Sequence, residues 1–362
     1  MKLSSTPERA SEPAAAATGY KVLAMGGGTG LSTLLRGLKQ YVTVPGQIAP
    51  SGPYIATLSA VVTVSDDGGS SGKLRKEFNI LPPGDIRNCI VALSKEEEVL
   101  ARLFQYRFPE GSALSGHSFG NLFLTALNAM TGDFAKAVEL SSEILATRGT
   151  IFPATTANVE LEACMDDGSR VRGETNINAS EKRIVELMLD PPNVRPMPQT
   201  LDAIAAADLI TIGPGSLFTS LIPNLLVRGI PEAIAASPAV KVFVCNLMTE
   251  ANESLGLTAA GHIRAIYKHA GRSIFDFALV NNRRVSNSLA AGYALEGASQ
   301  IVADIDEIEA MGITPIVDDF LEEAGVARHA TDRLAAQLMR ILHAESACRQ
   351  TRAKVAVNAD EP

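Results

Sequence analysis

The stretch YKVLAMGGGTGLSTLLRGLKQY (residues 20–41) runs from apolar residues through a glycine-rich turn into a segment with helical spacing. A second apolar run, ATLSAVVTVS (56–65), follows it. The order strand, glycine loop, helix, strand is how a parallel α/β sheet begins, so this stretch decides the fold class. The helical period is carried by Leu31, Leu34, Leu35 and Leu38.

Shorter apolar runs flanked by turn residues predict further strands, namely ADLITIG (207–213), KVFVCN (241–246) and FDFALVNN (275–282). Residues 85–148 have helical patterns and predict a helical insertion, either an added layer or a subdomain. Alternation around an Asp-Gly pair predicts a hairpin within 157–177. Because ligands of open α/β sheets bind outside the carboxyl ends of the strands, we expect the site in the loops after them.

Length and composition favour one α/β domain over residues 19–345, since 46% of the 362 residues are hydrophobic. Residues 1–18 and 346–362 are predicted to be disordered tails, and the first has no apolar core typical of a signal peptide. The uncharged stretch LITIGPGSLFTSLIPNLLV (209–227) raises the possibility of a membrane span. Its glycines and prolines favour a strand, a turn and a buried helix instead.

Charge and cysteine content narrow the class of protein. The net charge of −8 argues against a nucleic-acid polymer as partner, although a small anionic ligand in a local pocket remains compatible with it. Four scattered cysteines form no CxxC pair, and five histidines show no spacing typical of metal ligands. We therefore predict reduced thiols and a cytoplasmic location.

The first glycine loop is a candidate phosphate cradle. Glycines let a backbone approach a phosphate, and the following helix N-terminus adds partial positive charge. The loop lacks the GK[ST] of a Walker A motif and does not match GxGxxG, so a tight turn without a ligand is the alternative. The residues predicted to bind are Gly26, Gly27, Gly28, Thr29 and Gly30.

Three carboxylates near the second strand are candidate ligand contacts. Asp66 and Asp67 in TVSDDGGSSGKLR (63–75) could bind a ribose hydroxyl or hold Mg²⁺ beside a diphosphate. Asp85 in PPGDIRNC (82–89) could join them as a metal ligand or could simply cap the helix that follows.

Three more loops carry candidate binding residues. Arg87 and Asn88 follow Asp85 and could reach an anion, and SGHSFGNL (115–122) supplies His117 and Asn121. The stretch GPGSLFTS (213–220) repeats the pattern of strand, glycine loop and helix, so it predicts a second anion cradle. Its binding residues would be Gly213, Gly215, Ser216 and Thr219, and Asn246 follows the next strand along the chain.

Six motifs together resemble the YvcK-type gluconeogenesis factor family of the CofD-like superfamily, over about residues 20–345. They are GGGTGLS (26–32), TVSDDGGSSGKLR (63–75), PPGDIRN (82–88), GHSFGNL (116–122), PATT (153–156) and GPGSLFTSLIPNLLV (213–227). The resemblance implies a Rossmann-like three-layer fold with extra helices, usually dimeric. It implies binding of a UDP-sugar such as UDP-N-acetylglucosamine, and a role in cell shape and envelope synthesis during gluconeogenic growth, with cell-envelope regulators as possible partners.

The resemblance also adds two candidate binding residues and shows one departure from the family pattern. VNNRRVSNSLAAGY ends at Tyr293 and VARHATDRLA supplies Arg328, a pair suited to base stacking and phosphate pairing. NLMTEANESLGLT (246–258) departs from the family's NLMTQPGET, which puts contacts of that Gln and Gly in doubt.

We expect a nucleotide-sugar binding protein rather than an enzyme. The alternative is a CofD-type transferase that moves a phospholactyl or phosphoenolpyruvyl group from a nucleoside diphosphate donor to a deazaflavin, with Mg²⁺. An NAD-dependent oxidoreductase is disfavoured by the broken GxGxxG. The low aromatic content, 5% with no Trp, favours the binding protein over a deazaflavin transferase.

Overall fold

The computed structural model describes residues 19–43, 52–95 and 97–359, and a seven-stranded parallel sheet forms its centre. A three-stranded and a two-stranded antiparallel sheet accompany it. Within the described residues the strands are β1 (Gly19–Gly26), β2 (Tyr54–Val62), β3 (Thr150–Pro153), β4 (Glu160–Met165), β5 (Arg170–Arg172), β6 (Ile184–Asp190), β7 (Leu209–Ile212), β8 (Val240–Val244), β9 (Phe277–Asn281), β10 (Thr314–Asp318), β11 (Leu321–Glu323) and β12 (Ala327–His329).

Helices cover both faces of the large sheet, which makes the fold Rossmann-like and three-layered as predicted. The helices of the described chain are α1 (Gly28–Lys39), α2 (Gly69–Phe78), α3 (Gly84–Leu93), α4 (Glu97–Gln105), α5 (Phe119–Thr131), α6 (Phe134–Ile144), α7 (Glu174–Asn178), α8 (Pro198–Ala206), α9 (Ile222–Leu225), α10 (Ile230–Ala236), α11 (Ala259–Ala270), α12 (Asn287–Leu295), α13 (Ile305–Ala310) and α14 (Thr331–Ala359). A π-helical turn (Leu217–Leu221) leads into α9. Helix α1 packs against α3 and α14.

The strand order of the large sheet is β10-β9-β8-β7-β1-β2-β3, with every neighbouring pair parallel. From β1 the chain builds outward to β2 and β3, and it later fills the other side from β7 to β10. The order therefore reverses between β1 and β7. A crevice forms outside the carboxyl ends of strands at such a switch point, which makes it the expected place for a ligand.

Burial on both faces explains why the central strands are almost wholly apolar. Leu23 and Met25 of β1, Ile210 of β7 and Phe243 of β8 are all buried. Strands covered by helices on both sides need apolar residues at every position rather than at alternate ones. This is the pattern that the sequence shows in its short apolar runs.

Several predicted elements are confirmed by the structure. The predicted strands correspond to β1, β2, β7, β8 and β9, and β4 pairs with β5 as an antiparallel hairpin around Asp167 and Gly168. Helices α3 to α6 occupy the stretch predicted to be a helical insertion. The apolar stretch 209–227 is a strand, a loop and short buried helical turns. No helix in the described ranges has the length and hydropathy that a bilayer span requires.

The predicted tail from residue 346 is wrong for residues 346–359, because α14 continues through Ala359. Once the buried first half of a helix has formed, adding each further turn is much easier than starting a new helix. The predicted tail 1–18 and residues 360–362 lie outside the described residues.

Shortening α14 tests how much of it the core needs. Leu338, Met339 and Leu342 are buried, whereas the contact that follows is a hydrogen bond from Arg349 to the Pro238 carbonyl. A chain ending at residue 345 should melt within about 3 °C of the full chain, since one surface hydrogen bond contributes about 1 kcal/mol.

The control is a chain ending at residue 336, which removes these three buried side chains and also that of Ile341, each contributing roughly 1.5–3 kcal/mol. That loss is comparable to the whole stability of many domains, so this chain should not fold cooperatively. Thermal unfolding followed by circular dichroism compares the two. Similar melting curves would show that the end of α14 contributes nothing to the core.

Candidate functional site

A cleft of about 450 Å³ opens at the carboxyl ends of β1, β7 and β8, where the strand order reverses. Its walls come from the two glycine loops, the start of α3, helix α7, the segment after β8, helix α12 and strand β12. It gathers residues that are far apart in the chain. The predicted residues that line it are Gly27, Gly28, Thr29, Gly30, Asp85, Gly215, Ser216, Thr219, Asn246, Tyr293 and Arg328.

The first glycine loop ends where α1 begins. Gly27 is the N-cap residue of α1, and because glycine has no side chain it provides no capping group. Gly28 has a φ of +59°, a conformation that glycine adopts easily and other residues rarely do. The Asp85 carboxyl group lies beside this turn, where the Gly28 N–H lowers its pKa, and no side-chain hydrogen bond caps the start of α3. The prediction that Asp85 might only cap its own helix is therefore wrong.

The two glycine loops touch through their backbones. A methyl group placed on Gly30 would overlap the Pro214 carbonyl oxygen and lie 2.9 Å from the Cα atom of Gly215. At the same level, the Gly213 N–H donates to the Met25 carbonyl oxygen at 3.1 Å. The lack of a side chain at Gly30 thus allows the ends of β1 and β7 to form one continuous floor.

Three backbone N–H groups in and after the second glycine loop already donate to side chains of the protein. The Gly215 N–H donates to Asn246 Oδ1 at 3.0 Å, and Asn246 Nδ2 donates back to the Gly215 carbonyl at 2.8 Å. The Phe218 and Thr219 N–H groups donate to one oxygen of Glu253. Side chains therefore already occupy these three donors, among which the Gly215 N–H belongs to the predicted second cradle.

Four carboxyl groups come together beside the first loop, and one of them was not predicted. Asp66 accepts a hydrogen bond from the Gly68 N–H, while Asp67 accepts two from Thr175 at the start of α7. This second contact holds α7 so that Glu174 lines the cleft with Asp85.

Burial and neighbouring carboxyl groups raise the pKa of two acids of this group, Asp85 and Glu174. Burial raises the pKa of Asp85 to about 7, helped by Asp66, while the Gly28 N–H and Arg87 act in the opposite direction. Burial, together with the nearby aspartates, raises the pKa of Glu174 to about 9. Both groups therefore hold protons near neutral pH more readily than ordinary carboxyl groups do.

A metal ion would need more than the protein's side chains here. In the ranges that the structure describes, no three Asp, Glu, His or Cys side chains are arranged so that they could hold a metal ion, and this includes the four carboxyl groups beside the first loop. Phosphate oxygens or water would have to complete the shell around the predicted ligands Asp66, Asp67 and Asp85.

The remaining predicted residues form a separate polar network outside the cleft lining. Arg87, 8% exposed, donates to Ser118 and Asn121 and also to Asn88. His117 shares a hydrogen bond with Ser70, to which Asn121 also donates. The three hydrogen bonds that the Arg87 guanidinium donates all go to neutral side chains. The predicted Gly26, Gly213, Asp66 and Asp67 also lie behind the lining rather than in it.

Tyr293 and Arg328 lie on the cleft wall formed by α12 and β12. The Tyr293 hydroxyl accepts the Ala327 N–H at 3.2 Å, which fixes the ring beside β12. His329, which was not predicted, ends that strand, and its Nε2 shares a hydrogen bond with the Cys245 carbonyl at 3.0 Å. Since a carbonyl only accepts, Nε2 must carry the proton. Burial lowers the pKa of His329 to about 4.

Comparison with known proteins agrees with the geometry. The family described as 2-phospho-L-lactate transferase CofD matches residues 22–321. Proteins named gluconeogenesis factor from Halalkalibacterium halodurans and Bacillus subtilis are each 45% identical to this chain, over 88% and 89% of it and 95% and 98% of their own lengths. This chain belongs to the gluconeogenesis factor branch of the CofD-like family. A crystal structure of a UPF0052 family member from Bacillus halodurans superposes with a TM-score of 0.82 at 45% identity, covering 88% of this chain and 99% of that one.

In this member of the family, several cleft residues give no clear signal in the sequence. Glu174 sits on a five-residue helix, and His329 and Glu250 lie in segments without glycine motifs. Asp67 reaches Thr175 across 108 positions of the chain. The Asp-Asp-Gly-Gly motif points to Asp67, but nothing in the sequence around residue 174 names its partner.

Adding a methyl group at Gly30 tests the contact between the loops. Gly30→Ala should lower the melting temperature by several degrees, because the overlapping Pro214 atom belongs to the backbone and a main-chain shift is required. Gly292→Ala is the matched control, since Gly292 lies in α12 with nothing within 4 Å of the added methyl. It should be neutral or slightly stabilising. Equal melting temperatures for both variants would contradict the close contact.

The raised pKa of Glu174 predicts how stability depends on pH. The folded protein holds a proton that the unfolded chain releases, so the free energy of unfolding falls as pH rises from about 4.5 to about 9. Glu174→Gln removes this group and should flatten the decline of melting temperature between pH 6 and 9. The control is Glu309→Gln, an exposed site on α13, which should leave the slope unchanged. A wild-type slope in the Glu174 variant would contradict the shift.

Proposed function

We propose that this protein binds a nucleotide sugar, of the UDP-N-acetylglucosamine type, in the cleft between the two glycine loops. The observation that supports this most is the position of the cleft. It lies at the switch point of the sheet, against the N-terminus of α1, a 12-residue helix whose N-cap residue, Gly27, has no side chain. Its volume of about 450 Å³ is within the range of sites for ligands of this size.

The diphosphate is proposed to lie over the first turn of α1. There the N–H groups of Thr29 and Gly30 point out of the helix end, and the helix dipole favours a negative charge. Asp85 and Glu174 lie beside it, and their raised pKa values reduce the negative charge that the phosphates would meet. Where these acids are ionised, Mg²⁺ could offset them, with phosphate oxygens completing its coordination.

The nucleoside is proposed to lie toward Tyr293 and Arg328. A tyrosine ring offers a stacking face for a base, and a guanidinium pairs with phosphate through two parallel hydrogen bonds. Arg328 is exposed on β12, so it is accessible to an anion in the cleft.

The biological role is proposed from the relatives. Those from Halalkalibacterium halodurans and Bacillus subtilis carry the name gluconeogenesis factor, which supports a regulatory role in gluconeogenic growth. We propose that the protein is a cytoplasmic homodimer. Its activity would depend on the nucleotide-sugar concentration, and it would act on regulators of the cell envelope and cell shape.

A transferase remains the second candidate, because the matching family is described as a 2-phospho-L-lactate transferase. Its deazaflavin acceptor would need a broad stacking surface. Among the described residues that line the cleft, Tyr293 is the one Phe, Tyr or Trp side chain, and this favours the binding protein.

Calorimetric titration with UDP-N-acetylglucosamine, GDP and NAD distinguishes the candidates. We expect the UDP-sugar to bind at least about tenfold more tightly than the other two, a difference of about 1.4 kcal/mol. Preference for GDP would support the transferase, and preference for NAD would exclude both candidates. Repeating the titration with EDTA tests the metal. Equal ligand affinities with and without EDTA would show that binding does not require Mg²⁺.

Paired arginine variants show whether the binding takes place in the cleft. Arg328→Ala should weaken binding about tenfold, because a charge-assisted hydrogen bond contributes about 1.5–3 kcal/mol. Arg340→Ala is the control, since Arg340 is exposed on α14 and donates to Gln337. Equal affinities for the two variants would place the ligand elsewhere.

A further inference from the structure

His329 lines the cleft at the end of β12, and one of its two ring nitrogens is anchored to the protein. Nε2 lies 3.0 Å from the carbonyl oxygen of Cys245, the residue that follows β8. Cys245 directly precedes Asn246, whose side chain holds both backbone groups of Gly215. The anchor therefore fixes the imidazole ring on the side of the cleft where the second glycine loop lies.

The anchor also determines which ring nitrogen of His329 carries the proton. A carbonyl oxygen only accepts, so Nε2 donates, and in the neutral ring Nδ1 is left with a lone pair. The opposite tautomer would place the lone pair of Nε2 against the lone pairs of the Cys245 oxygen at 3.0 Å. Burial lowers the pKa of His329 to about 4, which keeps the ring neutral near pH 7.

The Nδ1 lone pair of His329 is an acceptor that the protein leaves open. Over the residues that the structure describes, Nδ1 has no hydrogen-bond partner. It is also not closed off from solvent, as the unpartnered Nε2 of His262 is. An accessible acceptor on a half-buried ring in the cleft wall can accept from a bound molecule that presents a donor. A bound molecule that presents a second lone pair there would leave both groups unsatisfied, which costs affinity.

The position of His329 along β12 indicates which part of the ligand it meets. The Tyr293 hydroxyl accepts the N–H of Ala327, two residues before His329. Residues two apart in a strand share one face and lie about 7 Å from each other. His329 thus lies one step further from Tyr293 toward the end of β8, within reach of a nucleoside that rests against the tyrosine ring.

We propose that His329 Nδ1 accepts a hydrogen bond from an N–H or O–H group of the nucleoside and so helps to determine which nucleoside the cleft binds. This inference rests on the proposed function and adds a specificity-determining contact to it. The donor is either the ring N–H of a uracil base or a ribose hydroxyl. A cytosine base has a lone pair in place of that ring N–H, so a contact with the base would disfavour CDP.

The first test observes the two nitrogens directly, by NMR of the full chain with isotope-labelled nitrogen in its five histidines. The His329 signals are those that disappear in His329→Gln. At neutral pH the free protein should carry a proton on Nε2 and none on Nδ1. Saturation with UDP-N-acetylglucosamine should move the Nδ1 signal toward that of a hydrogen-bonded nitrogen, while Nε2 changes little. A proton on Nδ1 in the free protein would overturn the inference without any ligand.

Two substitutions separate the anchor from the acceptor. His329→Gln keeps an N–H that can reach the Cys245 carbonyl but has no acceptor at the Nδ1 position. Its melting temperature should stay within about 3 °C of the wild type, while UDP should bind about fivefold more weakly, or about 1 kcal/mol. His329→Asn has its side-chain oxygen near the Nδ1 position and does not reach Cys245, so it should lose stability but keep most of the affinity. His343→Gln, on the exposed side of α14, should change neither.

Modified nucleotides identify the donor. UDP methylated at the ring N–H lacks the base donor, and dideoxy-UDP lacks the ribose hydroxyls. The wild type and His329→Gln should bind equally the probe that lacks the donor, while the other probe keeps the fivefold difference. A fivefold difference with both probes would show that the nucleoside does not supply the donor and would overturn the inference.

These outcomes distinguish a failure of the inference from a failure of the proposed function. If calorimetry shows no binding of UDP-N-acetylglucosamine to the wild type, the proposed function is wrong and this contact with it. If the ligand binds but the Nδ1 signal does not move, nucleotide binding stands and the role of His329 is wrong. Equal loss of affinity in His329→Gln and His329→Asn would likewise reduce His329 to a structural residue.

Discussion

The close approach of Gly30 to the Pro214–Gly215 backbone is the constraint on which the rest of the site depends. Parallel strands bring their carboxyl ends to one edge, but the loops that follow them usually diverge. Here a residue without a side chain in the first turn of α1 lets the second loop lie directly against it. The N-terminus of α1 therefore faces a cleft whose base is formed by the backbone of the two packed loops, rather than facing solvent.

Long-range polar contacts then determine what the cleft displays. Asp67 anchors the start of α7 through Thr175, and this anchor carries Glu174 into the cleft. Asn246 fixes Gly215 through both its backbone groups. In each case, a polar side chain from one loop satisfies the backbone of another loop, as buried backbone groups require. The cleft is thus assembled before any ligand arrives, which reduces the conformational entropy that binding would cost.

The sequence predicts the sheet better than it predicts the site, and particular residues show why. Short apolar runs and glycine loops reveal β1, β7 and the start of α1 because their causes are local. The occupation of the second loop by Glu253 is not local, since the carboxyl group lies 35 positions from Phe218. From the sequence, GPGSLFTS has the pattern of an anion cradle, and only the folded chain shows that a carboxyl group of the protein already accepts two of its N–H groups.

The acids around the first loop lead to a final argument about what the cleft selects. Asp85 and Glu174 have raised pKa values because burial and their neighbours disfavour charge, so the empty cleft favours their neutral forms. A bare diphosphate also favours the neutral forms, whereas a cation favours the ionised ones. Phosphate and cation therefore act in opposite directions on the same protons. Their combined charge is closer to neutral than that of either one, so a diphosphate that arrives with its cation disturbs these acids least.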